Sequence, residues 1–313
     1  MTASSPRPDG GPRVVAVVVT HRPEVDATLA LLDALVPQVA RTVVVDNASG
    51  PDVVARLRGA LDASGGEVVA LDENRGIGAA QNVGIARARQ LGATHVLLSD
   101  QDSRPAPDMV ARLVDDLVAH PVAPDGRPVA AVGPVIVDPR NPGAILVFRA
   151  RRWGPRRAVL PESGTRVDAV FLLASGCLLD LAALDVVGPM NEPWFIDHVD
   201  LEWGLRAGRA GYDVHAVAGA VLEHSLGDRT QRIPGRERDV HLHSPVRNYY
   251  MVRNTLLLVR SGLLPRAWRW GYRFWITKYA VFYVLCVAPR GVRTGRILRG
   301  LLDGARGRTG PAA

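Results

Sequence analysis

Val14-Val15-Ala16-Val17-Val18-Val19-Thr20 is a near-continuous run of β-branched residues. Such a run suits a strand buried on both faces, where no position has to be polar. Working outward, residues 25–39 carry Leu29, Leu32, Leu35, Val36 and Val39 on one stripe at helical spacing. The pair of patterns then recurs: strands are predicted over 42–46, 67–71 and 95–99, and helices over 52–61, 79–91 and 107–119. Four strand–helix units in succession predict a mostly parallel, doubly wound α/β sheet, because parallel strands need crossover helices. Ligands of such sheets bind beyond the carboxyl ends of the strands.

Each of these strands ends in a polar cluster: Thr20-His21-Arg22, Asp46-Asn47-Ala48-Ser49, Asp72-Glu73-Asn74-Arg75 and Asp100-Gln101-Asp102-Ser103. Any one cluster reads as ordinary loop surface. Four on the same edge of one sheet point to a site.

The chain has 313 residues, enough for one large or two modest domains with a sizeable core. At 47% hydrophobic and 22% charged residues it is neither disordered nor collagen-like. Its net charge of +7 conceals a division: 21 basic against 28 acidic residues through Asp228, then 17 against 3 from Arg229 onward. Only the second part is built to seek an anionic partner. Cys177 and Cys286 lie far apart and form no metal-ligand pair, which agrees with a reducing compartment. The apolar run over 14–19 is too short for the core of a secretion signal, so a cytoplasmic protein is expected.

Beyond about residue 130 the pattern breaks into short runs interrupted by Pro and Gly, with a basic stretch over 149–157. A strand is predicted over 167–179 through Ser175-Gly176-Cys177, a helix over 200–210 capped by Asp200, and an extended segment over 215–223. After an Arg-rich linker come two apolar segments, around 251–264 and 275–288. The second falls short of the roughly 20 residues a membrane-spanning helix needs.

Gly76-Ile77-Gly78 opens a helix and suggests a dinucleotide fingerprint, but Gln81 stands where the third small residue belongs. The loop after the first strand, His21-Arg22-Pro23, has no glycine at all, so nicotinamide and flavin binding are set aside. Asp100-Gln101-Asp102 is more informative. At a strand end, positions i and i+2 face one side, so two carboxylates can converge on a divalent cation, or on a ribose and a cation. A hard cation so held offsets the charge of a departing sugar diphosphate.

Taken together, Val-Val-Val-Thr-His-Arg-Pro (17–23), Val-Val-Val-Asp-Asn-Ala-Ser (43–49), Glu-Asn-Arg-Gly-Ile-Gly-Ala-Ala-Gln-Asn-Val-Gly (73–84) and Leu-Leu-Ser-Asp-Gln-Asp-Ser (97–103) resemble the family 2 inverting glycosyltransferases of GT-A fold. Ser-Asp-Gln-Asp-Ser, followed by Phe-Ile-Asp-His-Val-Asp-Leu-Glu-Trp (195–203), is similar to the bacterial rhamnosyltransferase branch. The resemblance covers residues 14–227. It implies residues 1–12 as a disordered tail and 13–228 as the catalytic domain, with a nucleotide-sugar half over 13–104 and an acceptor half over 105–228. Residues 229–313 then form a basic helical segment that associates with membrane or packs on protein.

Position by position, the resemblance implies that Thr20 and His21 lie against the nucleotide and that Asp46 accepts a hydrogen bond from the base. Asn74, Gly76 and Asn82 would shape the wall around the nucleotide sugar; for Asn74 and Asn82, loop closure and helix capping are the plainer alternatives. Asp100 would approach the ribose, while Asp102, with His224, would ligate Mg²⁺ or Mn²⁺ at the diphosphate. Inversion needs a base on the face opposite the leaving group, to take the proton of the acceptor hydroxyl. Register from Arg206 and Ala210-Gly211-Tyr212 puts Asp200 there, with helix capping as its alternative role. Val199 stands where the family has a Glu, which keeps Asp197 as a competitor.

Trp203, Trp194 and Phe195 are candidates for an acceptor wall or for core, and Arg229 and Arg232 for holding a lipid diphosphate acceptor. The implied activity is metal-dependent transfer of L-rhamnose from its dTDP donor to a polyprenyl-diphosphate-linked glycan. A UDP-sugar galactofuranosyl- or hexosyltransferase is the nearest alternative, and a non-catalytic polysaccharide- or nucleic-acid-binding protein the distant one. In the tail, positive charge is interleaved with Trp268, Trp270, Tyr272, Trp275, Tyr279 and Tyr283. That mixture suits an anionic membrane surface, and apolar runs such as 255–259 and 280–285 favour membrane over nucleic acid. A peripheral place on the inner face of the cell membrane is expected, and a homodimer is left open.

Overall fold

The computed structural model describes residues 11–138, 145–159, 166–224, 229–231 and 240–312, with the side chains of 229–231, 240 and 241 outside the description. The first half follows the repeat: β1 (Val14–Thr20), α1 (Val25–Leu35), β2 (Arg41–Asp46), α2 (Pro51–Leu61), β3 (Glu67–Ala70), α3 (Ile77–Gln90) and β4 (His95–Asp100). β1 is buried at all seven positions, as its Val run requires. These strands are mutually parallel in the order β3-β2-β1-β4. α3 lies close on the sheet because Gly84 has no side chain: a Cβ there would stand 2.2 Å from Val17 Cγ1.

The sheet continues through β5 (Arg104–Pro105), β6 (Val129–Val137), β9 (Arg166–Asp168), β10 (Leu178–Asp180) and β11 (Asp213–Glu223), in the full order β3-β2-β1-β4-β10-β6-β11-β5 with β9 also paired to β11. Between them lie α4 (Met109–Ala119), the short pair β7 (Phe148–Arg149) and β8 (Arg156–Arg157), α5 (Leu181–Val187) and α6 (Val199–Arg209). β10 is antiparallel to both neighbours. Here the structure departs from the continuous strand expected over 167–179. Gly176 has φ +81°, and a Cβ on it would meet Pro134 Cγ at 2.6 Å, so the chain turns sharply before β10 begins.

β12 (Arg229–Gln231) and β13 (Val240–Leu242) form a small ribbon that leads into α7 (Pro245–Arg260), α8 (Arg266–Cys286) and α9 (Arg290–Arg306). The apolar segments predicted α7 and α8; α9, rich in Arg and Gly, gave no apolar stripe to read. Leu258, Val259, Leu264 and Trp268 belong to the same core cluster as Val15, Val17, Leu98 and Leu179 of the sheet, so the basic helices share the interior under the sheet. Among the described residues, no helix is long and apolar enough to cross a membrane. The expected tail over 1–12 falls almost wholly outside the described residues, as do residues 232–239 of the Arg-rich linker.

Candidate active site

A cavity of about 820 Å³ opens at the carboxyl ends of β1 and β4, between the strand-end loops, the segment before α6, and the inner sides of α7 and α8. His21, Asn74, Gly76, Asp100, Asp102, Asp197, Asp200 and His224 line it, so one site collects residues from across more than 200 positions of sequence.

On the strand-end side, three loops are tied together by side chains. His21 Nδ1 lies 2.7 Å from the Asn47 carbonyl, and Asn74 Nδ2 lies 3.2 Å from His21 Nε2. The partners assign the tautomer: Nδ1–H donates to the carbonyl and Nε2 accepts from the amide. Asn47 Nδ2 in turn donates to Asn74 Oδ1 at 3.0 Å, and its Oδ1 accepts from Arg75 N at 2.8 Å. Gln101 Oε1 accepts from His21 N at 2.7 Å. Asn47 and Gln101 stand inside the quoted motifs but were not singled out, although an amide between two polar strand ends is a signal for such a tie.

Gly76 serves this junction through what it lacks. Its φ is +84°, and a Cβ would fall 2.5 Å from the Phe195 carbonyl oxygen, so only glycine lets the 74–76 loop meet the 195–198 segment. Ile77 N seals the contact by donating to that oxygen at 2.7 Å.

Other expected contacts with a donor fall outside the cavity lining. Thr20 and Asp46 are buried beneath it: Asp46 accepts from the Thr20 hydroxyl and from Ser49 N, both at 2.8 Å, so its carboxylate organises the β2 loop. Asn82 closes on Met190 N and O at 2.9 and 3.0 Å and on Glu192 at 2.9 Å, the loop-closing alternative. Trp203 and Trp194 are core residues, Trp203 donating to the Gly188 carbonyl at 3.0 Å; Phe195 stacks on Tyr250 and lines the cavity. Arg232 lies outside the described residues, as does the side chain of Arg229.

The acidic end holds His224 between two carboxylates. Its Nδ1 is 3.5 Å from Asp102 Oδ1 and its Nε2 3.9 Å from Asp100 Oδ2, and Nδ1 is buried without a hydrogen-bond partner. A buried, orphaned imidazole nitrogen facing carboxylates fits a divalent cation, whose charge would also ease the clustering of acids. Among the described residues no three His, Cys, Asp or Glu side chains form a ready cage, so the cation would need ligands from a bound molecule. Asp100 also accepts from the Ser175 hydroxyl, which gives the Ser-Gly-Cys turn its place in the site.

The two candidate bases sit in different electrostatic settings. Asp197 is ion-paired with Arg247 of α7, whose Nε lies 3.2 Å from Oδ1, and the carboxylate is almost wholly covered. Asp200 has no such relief: burial above all pushes its pKa up to about 7, against an opposing hydrogen bond from Leu201 N, with the negative charges of Asp100 and Asp197 as smaller additions. It stands in the first turn of α6 and not at the expected cap: His198 holds that position, without a side-chain hydrogen bond to the helix. Burial drops the pKa of His198 to about 4, so its ring is neutral, with Nε2 2.9 Å from Thr255 Oγ1. Arg247, Met251, Tyr272 and Trp275 complete the wall from the C-terminal helices. Nothing local in the sequence marked them.

With a divalent cation at Asp102 and His224, this arrangement could take an anionic molecule at its acidic end and present a carboxylate to a second substrate. Comparisons with known proteins identify the family. Residues 16–160 match the model of Glycosyl transferase family 2. The chain is 32% identical over 253 residues to the dTDP-rhamnosyl transferase RfbF of Shigella flexneri, covering 80% of this chain and 81% of that protein. It is 28% identical over 286 residues to the galactofuranosyltransferase GlfT1 of Mycolicibacterium smegmatis, covering 85% and 90%. Among solved structures, the mannosyltransferase PcManGT of Pyrobaculum calidifontis, in complex with GDP-Man and Mn²⁺, superposes with a TM-score of 0.56 at 17% identity over 96% of this chain and 77% of that one. S. aureus TarS in complex with UDP-GlcNAc gives 0.59 at 13% identity over 94% and 81%, and both likenesses show the GT-A fold. From the identity to RfbF across four-fifths of both chains, with the fold and the family match behind it, the chain belongs to glycosyl transferase family 2.

Proposed function

We propose that this glycosyltransferase is a metal-dependent, inverting rhamnosyltransferase that takes L-rhamnose from dTDP-L-rhamnose to a saccharide hydroxyl on a polyprenyl-diphosphate-linked glycan of a cell-surface polysaccharide. The observation that carries the mechanism is Asp200, a carboxylate with a pKa raised to about 7 that lines the same cavity as Asp100, Asp102 and His224. The donor assignment is supported by the likeness to RfbF.

In this reading His21, Asn74 and Asp100 position the nucleotide, and Asp102 and His224 hold Mg²⁺ or Mn²⁺. The cation supplies charge neutralisation at the diphosphate. Asp200 accepts the proton of the acceptor hydroxyl as that oxygen bonds to the anomeric carbon. The bond from that carbon to the diphosphate oxygen breaks on the opposite face, and its electron pair leaves with the nucleoside diphosphate. Asp197, held by Arg247, keeps a negative charge nearby that raises the basicity of Asp200. The enzyme would work peripherally on the inner face of the cell membrane.

A panel of nucleotide sugars with purified protein and Mn²⁺ or Mg²⁺ tests this. We expect hydrolysis or transfer only with dTDP-L-rhamnose, and loss of metal-dependent dTDP binding in Asp102→Asn. Selective turnover of UDP-galactofuranose, which the likeness to GlfT1 favours as the second reading, would defeat the rhamnose assignment. No turnover of any donor would defeat the catalytic reading itself.

A further inference from the structure

α8 is apolar on two opposite sides. One side buries Trp268, Ile276 and Tyr283 against the rest of the molecule, so the rings of Trp268 and Tyr283, expected at a lipid headgroup level, are interior instead. The other presents Trp270, Phe274, Val281 and Leu285, at 66, 69, 51 and 63% exposure. Their spacing of four, seven and four residues puts them on one stripe. A helix with apolar residues on two opposite sides has both covered in its working state, and an exposed apolar stripe marks where a partner sits.

The charge around the stripe selects the partner. Arg273 lies over the Trp270 ring at 5.1 Å and Lys278 over the Phe274 ring at 5.5 Å, so each outward aromatic carries a cation beside it. From residue 240 onward the sequence has thirteen basic residues and one acid, Asp303; of the thirteen, Arg253 and Arg293 are buried and Arg247 pairs with Asp197 at the cavity, and the rest stand against that one acid. That acid is buried, accepts from the Tyr249 hydroxyl at 3.0 Å and pairs with Arg308 at 3.3 Å, so it contributes little negative charge outside. A second copy meeting this face about a two-fold axis would set Arg273 and Lys278 against their own counterparts. An anionic bilayer accepts both features at once, phosphates for the cations and the acyl boundary for the apolar side chains.

We propose that the outer stripe of α8, Trp270, Phe274, Val281 and Leu285, lies in the headgroup region of an anionic membrane. The same helix turns Tyr272 and Trp275 into the catalytic cavity, so docking sets the cavity beside the lipid surface. That a lipid-linked acceptor enters there rests on the function proposed above; the docking does not.

The test is co-sedimentation of the full chain with vesicles of phosphatidylglycerol in phosphatidylcholine, against phosphatidylcholine alone. Binding should need the anionic lipid, weaken with salt, and fall by roughly tenfold or more in Trp270→Glu/Phe274→Glu. Donor hydrolysis by that variant in the absence of lipid should stay unchanged, since neither residue touches the cavity. Brominated phosphatidylglycerol should quench tryptophan fluorescence in the native chain and less so in Trp270→Phe, a change mild enough to leave the fold intact. Absence of binding, equal binding by the double variant, or equal quenching with and without Trp270 would overturn the proposal. So would a dimer in light scattering that the same double substitution dissolves.

Discussion

At the scale of the residue, Asp200 carries the sharpest consequence. A base acts in its charged form, so kcat/KM should rise with pH to a plateau, with a midpoint near the raised value of about 7. Asp200→Asn should lower transfer by about 10²–10⁴-fold while leaving dTDP binding in place. The same burial predicts an opposite effect on stability. The folded pKa lies above the ordinary carboxylate value of 3.8, so between the two the unfolded chain releases a proton that the folded chain keeps. Stability contributed by the protonated form is therefore lost as pH rises through that window, and above pH 7 the charged group is a full liability. Asp200→Asn should thus be more stable than the native chain above neutrality, by roughly 1–3 kcal/mol, with the gap closing toward acid pH. Thermal denaturation across pH checks this; a variant less stable at every pH would mean Asp200 is a structural cap. Asp197→Asn, which strands the Arg247 cation, should instead destabilise the protein at neutral pH.

Elements explain why that residue stands where it does. Phe195, Asp197 and His198 have φ of 67, 67 and 63°, three left-handed non-glycine residues within four positions. Each such conformation costs on the order of 1–3 kcal/mol and persists only when its surroundings fix it. α7 does the fixing. Asn254 Nδ2 lies 3.0, 2.7 and 3.0 Å from the carbonyls of Trp194, Ile196 and Asp197, and Arg253 Nη2 donates to the Trp194 carbonyl at 2.9 Å. Thr255 holds His198, and Arg247 holds Asp197. Asn254→Ala should therefore reduce kcat more than it raises donor KM, shift the midpoint of the pH–rate profile, and cost about 1–3 kcal/mol of stability. An unchanged profile in a folded variant would show the segment to be self-supporting. The strand ends were legible in the sequence because near-continuous apolar runs and their polar termini are local patterns. This clamp was not: it joins residues nearly sixty positions apart, and Asn254 sits in a helix whose pattern reports only apolar packing. The helix start at 200 was misplaced by one residue for a related reason, since a capping residue with φ +63° has no side-chain signature to read.

Across the whole molecule, the break in charge at Asp228 suggested a catalytic part and an appendage. Charge reports where a surface points, not what its other side touches. The arginines of residues 240–312 were expected to form an anion-seeking surface, but Arg253 and Arg293 are buried and Arg247 pairs with Asp197, and the aromatic rings among them divide between surface and interior as well. Leu258, Val259, Leu264 and Trp268 complete the core under the sheet, and Trp268 Nε1 donates at 2.7 Å to the Arg151 carbonyl of the loop that walls the cavity. Each buried large apolar side chain contributes about 1.5–3 kcal/mol, so losing these four alone removes a large share of the roughly 5–15 kcal/mol that holds a domain folded. Truncation after Leu242 should accordingly abolish donor hydrolysis along with membrane binding, and leave a chain that unfolds without a cooperative transition. Far-UV and near-UV circular dichroism with a donor-hydrolysis assay decide the matter. A truncated chain that melts cooperatively and still hydrolyses the donor would show that α7–α9 only decorate the catalytic half. A folded but inactive chain would leave the core argument failing and the clamp on the 195–198 segment standing, because the first depends on buried area and the second on the hydrogen bonds that hold Asp200 in place.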